Sequence, residues 1–267
     1  MLKFWRWLAM LTIFIAMLAP IIPQLIWSFA FRWFFPTLLP SVWSLDAWHY
    51  VFSESSRVGE GLLNSLTIAL ATSFLSILVG LPAARAIALH TFRGKALIEW
   101  LIMVPIIVPA LVVVMGIHIM FIRYRLTDSF IGVVLVHLIP CVPYMVLVMA
   151  SVFANYGPEL EETARTLGAG PVQTFRYVTL PAIFPGLLVA AMFTFLISWG
   201  QYVTTLLIGG GRIITLPLVL FPFISGANYA TAAAISLVFV APAVIVLIFT
   251  SRSLSAESSV MGGFGRL

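Results

Sequence analysis

Three carboxylates within four residues, Glu159, Glu161 and Glu162, follow directly on Pro158, and Arg165, Gly168 and Gly170 come after them. Acids suit the positive end of a helix dipole, and proline fits a helix's first position. Leu160, Ala164 and Leu167 fall at i, i+4 and i+7, which places them on one helical face. Gly168 and Gly170 end that segment. Pro171 opens a second short helix with Val172 and Phe175 on one side. The chemistry open to such a stretch is recognition. It is either a compact amphipathic projection that docks on another protein, or a loop lying on lipid head groups. The acids make anionic head groups a poor partner.

Other reactive side chains are isolated from the groups they would need. His118 and His137 sit in apolar runs without a neighbouring His, Cys or acid set, which favours packing or polar contact within the bundle over metal binding. Asp46 and Asp128 have no nucleophile motif beside them. Cys141, the one cysteine, reads as a small buried hydrophobe. No Gly-x-x-x-x-Gly-Lys-Ser/Thr phosphate loop occurs, and Gly209-Gly210-Gly211-Arg212 lacks both the lysine and the spacing. The chain is therefore not expected to hydrolyse ATP, to be an enzyme, or to hold a metal or cofactor of its own. Ser198, Gln201, Tyr202, Thr204 and Thr205 gather polar atoms inside an apolar stretch. They either line a polar passage or bond helix to helix. The small residues of Gly80-Leu-Pro82-Ala-Ala84 suit close helix packing.

The elements that hold these groups follow from composition. Of 267 residues 62% are hydrophobic and 9% charged, with mean hydropathy +1.12. An ordinary soluble domain is about 25% charged, so a soluble enzyme is excluded. The net charge of +5 comes from scattered bases, which argues against nucleic-acid binding. Stretches 7–31, 61–84, 100–122, 129–158, 177–211 and 213–251 contain no Asp, Glu, Lys or Arg. Each exceeds the roughly 20 residues that cross a bilayer as a helix, and none has the short alternating pattern of a barrel strand. The pattern predicts an all-α membrane protein with six transmembrane helices, near 8–30, 60–89, 97–121, 130–153, 184–208 and 229–250. Residues 212–228, broken by Pro217, Pro222 and Gly226, are expected to form a loop or a partly re-entrant segment. The first apolar run is too long for a secretory signal and is expected to be retained.

Basic residues orient the spans. With both termini inside, Lys3, Arg6, Arg85, Arg93, Lys95, Arg165, Arg176, Arg252 and Arg266 face the cytoplasm. Arg32, Arg57, Arg123, Arg125 and Arg212 face outward. That balance favours cytoplasmic termini. The expected organisation is a first helix and outer loop (1–58), a five-helix core (59–251) carrying the loop 158–181, and a short cytoplasmic tail (252–267). Trp33, Trp43, Trp48 and Tyr50 of the outer loop suit a membrane interface or a partner contact.

The 158–181 stretch resembles the EAA loop of binding-protein-dependent ABC transporter permeases. That pattern is Glu-Ala-Ala, three residues, Gly, nine residues, then a hydrophobic residue, any residue, Leu and Pro. Here it reads Glu162-Thr163-Ala164, Gly168 and Val178-Thr179-Leu180-Pro181, with Thr163 replacing the middle alanine. Asn64-Ser65-Leu66, Pro105-Ile-Ile-Val-Pro109, His137 with Pro140 and Pro143-Tyr144, and Thr215-Leu216-Pro217 resemble further signatures of the family. The fullest likeness is to the spermidine/putrescine-type permeases, whose relatives also carry ferric iron, thiamine and aminophosphonates.

The resemblance implies a type I ABC importer permease fold with a cytoplasmic coupling helix, in a multi-pass protein of the bacterial inner membrane. It implies as partners two ABC ATPase subunits, which use ATP and Mg, and a second permease, different or identical. A periplasmic or lipid-anchored binding protein would deliver the solute. Leu160, Glu162, Thr163, Ala164, Arg165, Leu167 and Gly168 become the expected ATPase contacts. Ser198, Gln201, Tyr202, Thr204 and Thr205 become the expected pathway. Polyamine-type relatives often carry an acid where this chain has Gln201, which weighs against a polyamine. An ion-gradient transporter and a membrane scaffold are the alternatives. The spans offer the first no acid for proton coupling, and the second leaves the family signatures unexplained.

Overall fold

The computed structural model describes residues 2–31, 33 and 36–264; Arg32 and Arg266 of the charge balance lie outside the described residues. The regular structure described is helical apart from one antiparallel bridge, Ala30 to Trp43. In chain order the helices are α1 (Leu2–Leu18), α2 (Ile21–Ser28), α3 (Asp46–Val51), α4 (Val58–Leu89), α5 (Lys95–Ile107), α6 (Ala110–Arg123) and α7 (Phe130–Ala154). They continue with α8 (Glu159–Thr166), α9 (Pro171–Thr174), α10 (Leu180–Trp199), α11 (Val203–Gly209), α12 (Leu216–Ser225) and α13 (Tyr229–Phe264).

Six uninterrupted spans are not what forms. Among the described residues, four helical runs are long and apolar enough to cross a membrane: α4, α7, the run Pro171–Trp199, and α13. The count reaches five if α5 and α6, bent by 103° at their junction, are taken as one span. Prolines and a glycine account for the difference. The expected first helix is split into 17 and 8 residues around Ala19-Pro20, where proline removes a backbone donor and its ring crowds the preceding turn. Val108 is extended (ψ 132°), the conformation that a following proline imposes, and so the expected helix 97–121 breaks before Pro109. The expected helix 184–208 is also two helices, ending first at Trp199 with Gly200 as its cap. Residues 212–228 are not a simple loop: Pro217 opens α12 and Gly226 closes it.

Backbone contacts divide the chain into two units, residues 1–63 with 215–242, and residues 64–214 with 243–267. In the first unit Trp33 and Tyr50 of the 31–58 region pack on rings. Trp27 meets Trp33 and Tyr229 at centroid distances of 5.0 and 5.3 Å, and Tyr50 meets Phe223 at 5.4 Å.

The second unit is organised by α7, against which α5, α10 and α11 pack. One apolar core joins Ala84 and Ile87 of α4 to Met145, Met149 and Phe153 of α7 and to Ile183 of α10. Another joins Ile68 of α4 to Val114 of α6, Val133 and Val136 of α7, and Ile208 of α11. Gly80 is what lets α4 approach α7, since a Cβ there would lie 2.5 Å from Met145 Cγ. Cys141 is buried in α7.

Candidate functional site

The segment 158–181 forms a projection built by local rules. Pro158 caps α8, and the acids occupy its first turn. The helix ends in a Schellman motif. Gly168 N–H donates to Arg165 O (3.0 Å) and Ala169 N–H to Ala164 O (3.0 Å), with Gly168 at φ +88°. Nothing lies within 4 Å of where a Gly168 Cβ would stand, so glycine is required here by the turn and not by a close neighbour. Pro171 starts α9, and Gln173 Oε1 accepts from Gly170 N–H at 3.0 Å. Residues Phe175–Thr179 then form a π turn in which Leu180 N–H donates to Phe175 O, and this leads straight into α10.

Of the seven expected contact residues, five lie on α8, Leu167 caps it and Gly168 follows the cap. Leu160 is 59% and Leu167 83% exposed, Glu162, Thr163, Arg165 and Gly168 are exposed, and Ala164 is half-buried. The Thr163 hydroxyl donates to Glu159 O at 2.8 Å, so the residue replacing the pattern's middle alanine stays satisfied on its own helix. Arg165 lies 3.6 Å from Glu161 and Arg176 sits over the Tyr177 ring. Val172 and Tyr177 add further exposed apolar surface.

The sequence reading missed Glu161, the one buried residue of α8, at 4% exposure. Its carboxylate accepts from Arg85 of α4 at 2.6 Å and from the Thr179 hydroxyl at 2.7 Å. Burial pushes its pKa up. The hydrogen bonds from Arg85 and Thr179 and the Arg85 charge outweigh that and hold it below the usual carboxylate range. The pair's contribution to stability is therefore fully present above the ordinary carboxylate range, and it is lost as pH falls through the lowered value. The same surroundings act oppositely on Tyr156, whose pKa is raised by burial and by the Glu161 charge. The available signal was a third acid beside Glu162 and a lone arginine at the end of an apolar helix.

The second polar group is brought together by α7, α10 and α11. His137 Nδ1 and the Ser198 hydroxyl are 2.9 Å apart, and its Nε2 is 2.9 Å from the Thr205 hydroxyl. Gln201 Nε2 donates to His137 O at 3.4 Å, and Thr204 donates to Gln201 Oε1 at 2.7 Å. Ser198, Thr204 and Thr205 are buried, while Gln201 and Tyr202 are half-buried. Four of the five expected pathway residues thus share one network centred on His137, which makes polar contacts within the bundle. His118 lies elsewhere, half-buried on α6. On α4, Thr72, Ser73 and Ser76 bury hydroxyls that have no hydrogen-bond partner among the described residues.

The arrangement holds together no catalytic set. It offers an exposed amphipathic helix anchored by an ion pair, and a polar knot among apolar helices. Residues 76–255 match the family described as binding-protein-dependent transport system inner membrane component. An ABC transporter permease protein of Streptomyces antibioticus, ORF1, is 33% identical over 69% of this chain and 81% of its own length. SugB of Mycobacterium tuberculosis, a trehalose transport system permease protein, is 27% identical over 83% of each chain. The same fold occurs in a bacterial ABC transporter involved in the import of the acidic polysaccharide alginate. There the TM-score is 0.71 at 19% identity, covering 91% of this chain and 93% of that one. The chain belongs to the binding-protein-dependent transport system inner membrane components: it is the multi-pass permease of an ABC importer, receiving solute from a binding protein and driven by a separate ATPase.

Proposed function

We propose that α8 is the contact through which the ATPase drives this permease. The observation that carries the reading is the exposure of Leu160 on a short, largely polar helix and of Leu167 at its cap. Apolar side chains held out at the end of a bundle lose free energy unless another surface covers them. Glu162, Thr163, Ala164 and Arg165 complete that surface, and Gly168 turns the chain back toward α10. This end of the bundle and both termini face the cytoplasm, in keeping with the distribution of Lys and Arg. The bent pair α5–α6 makes one crossing and α1 with α2 another, which brings the total to six. The core runs from 59 to 251, with 1–58 ahead of it and a short tail after it.

The solute is small, and a polycationic amine is the least favoured class. Support comes from the neutral character of the Ser198–Gln201–Tyr202–Thr204–Thr205 group, which has no carboxylate to neutralise an ammonium. The trehalose named for SugB fits that chemistry. The spermidine/putrescine-type likeness keeps thiamine, ferric iron and aminophosphonate as further candidates and polyamines as the least favoured.

The test is mass spectrometry of the detergent-solubilised complex, carried out on the native chain and on Gly168→Val. The native chain is expected to bring down an ABC ATPase and a second permease. A valine at φ +88° is strained and deforms the end of α8, so the variant should insert normally and lose most of the ATPase. Undiminished ATPase recovery with Gly168→Val would remove α8 from the contact.

A further inference from the structure

We propose that Glu161 is the positioning residue of this contact. Its carboxylate ties α8 to the end of α4 and to the root of α10, so that these elements move as one body when the ATPase moves α8. The inference rests on the reading of α8 as the ATPase contact and adds how displacement leaves it.

The mechanical problem is set by the flanks of α8. Gly157-Pro158 precedes it, and Gly168-Ala169-Gly170 follows it. Glycine turns at both ends would let an eight-residue helix swing without moving the spans. Apolar packing does not prevent this, because Leu160 and Leu167 point outward and the one buried residue of α8 is Glu161. What remains is the carboxylate. One oxygen is held by Arg85 at 2.6 Å and the other by Thr179 at 2.7 Å. Two charge-assisted hydrogen bonds in different directions fix position, whereas an apolar contact can slide.

Each partner stands at a joint. Arg85 is three residues beyond Pro82, which interrupts the hydrogen-bond ladder of α4 and separates its last turns from the rest. Thr179 closes the π turn Phe175–Thr179, whose widened register precedes α10. A push on α8 therefore arrives at α4 beyond its proline and at α10 beside its π turn, the places where each helix is most readily bent.

The test uses the full complex with its ATPases, spin-labelled at Glu159→Cys and His90→Cys; Cys141 is buried and stays unlabelled. The interlabel distance is compared without nucleotide and with ATP under chelated magnesium. In the otherwise native chain the two distances should agree within about 2 Å, the scale of an interfacial helix shift. Glu161→Gln keeps the shape and the acceptor for Thr179 but removes the charge facing Arg85. The ATPase should still co-purify with it, and the distance should then change by more than that amount or its distribution broaden. Thr179→Val, which leaves the Arg85 pair intact, should instead disturb a Glu159→Cys to Phe184→Cys distance and spare the first. A larger nucleotide-dependent change in the native chain overturns the tie, as does a Glu161→Gln complex with unchanged distances. Failure of the native chain to bring down an ATPase overturns the α8 contact itself, and the tie's role with it.

Discussion

The two polar sites of the second unit use the same membrane-embedded scaffold in opposite ways. At α8 a carboxylate is buried against an arginine while leucines stand exposed. Around His137 the charges are gone, and hydroxyls, an amide and an imidazole satisfy one another among apolar helices. A helix bundle gains nothing by exposing leucine beyond the bilayer unless a partner covers it. It also gains nothing by burying polar atoms within the bilayer unless they pair. The first site thus leaves apolar surface uncovered within this chain, and the second pairs its polar atoms within it. On the proposed reading of α8, the first is where this chain would meet its motor, while the second holds the chain together.

The sharpest way to break the comparison is to charge the exposed face. Leu160→Asp with Leu167→Asp alters nothing that this chain buries, so insertion and thermal stability in detergent should persist. Recovery of the ATPase should fall by about tenfold or more. A carboxylate forced unpaired into an interface costs at least ~1.4 kcal/mol, which is a factor of ten in affinity. Equal ATPase recovery from the doubly substituted chain would mean that these leucines face lipid or water in the complex.

These two sites were not equally legible in the sequence. The α8 face was read from i, i+4, i+7 spacing and glycine punctuation, both local signals, and the expected residues lie on that helix or in the two residues that end it. Glu161 was missed because its meaning depends on Arg85, 76 positions earlier, and helical periodicity carries no information about such a pair. The same limit separates Ser198 and Thr205, found as a local polar cluster, from His137 on another helix, which joins them. The spans were legible as apolar runs and their interruptions were not. Pro109, Pro20 and Gly200 break helices, whereas Pro82, Pro140, Pro143, Pro185, Pro222 and Pro242 stay inside them. Proline raises the cost of a helical turn, and tertiary packing decides whether that cost is met.

At the His137 site, a smaller loss is expected from Ser198→Ala. The alanine leaves one ring nitrogen of buried His137 without its partner at 2.9 Å. An unsatisfied buried group costs about 1–3 kcal/mol, seen as a lowered unfolding temperature of the purified permease with ATPase recovery unchanged. Thr205→Val removes the other ring partner. Because both act through one imidazole, the double variant should fall short of or exceed the sum of the singles, which independent sites would not do. Strict additivity would show that the histidine does not join the two helices.

The smallest effect is expected on α4, and it separates the satisfied hydroxyls from the orphaned ones. Ser76 is fully buried and its hydroxyl has no hydrogen-bond partner among the described residues. Ser76→Ala breaks no bond and removes one buried oxygen. The void costs lost dispersion contacts, while removing an unpaired polar atom from an apolar interior gains free energy, and the two offset each other. The unfolding temperature should therefore stay close to that of the native chain, within about 0.5 kcal/mol. A loss as large as that of Ser198→Ala would mean that Ser76 has a polar partner in the assembled transporter, such as water entering beside α4. The contrast would then no longer be between a paired site and an unpaired one. It would be between a site paired within the chain and one paired with whatever passes through it.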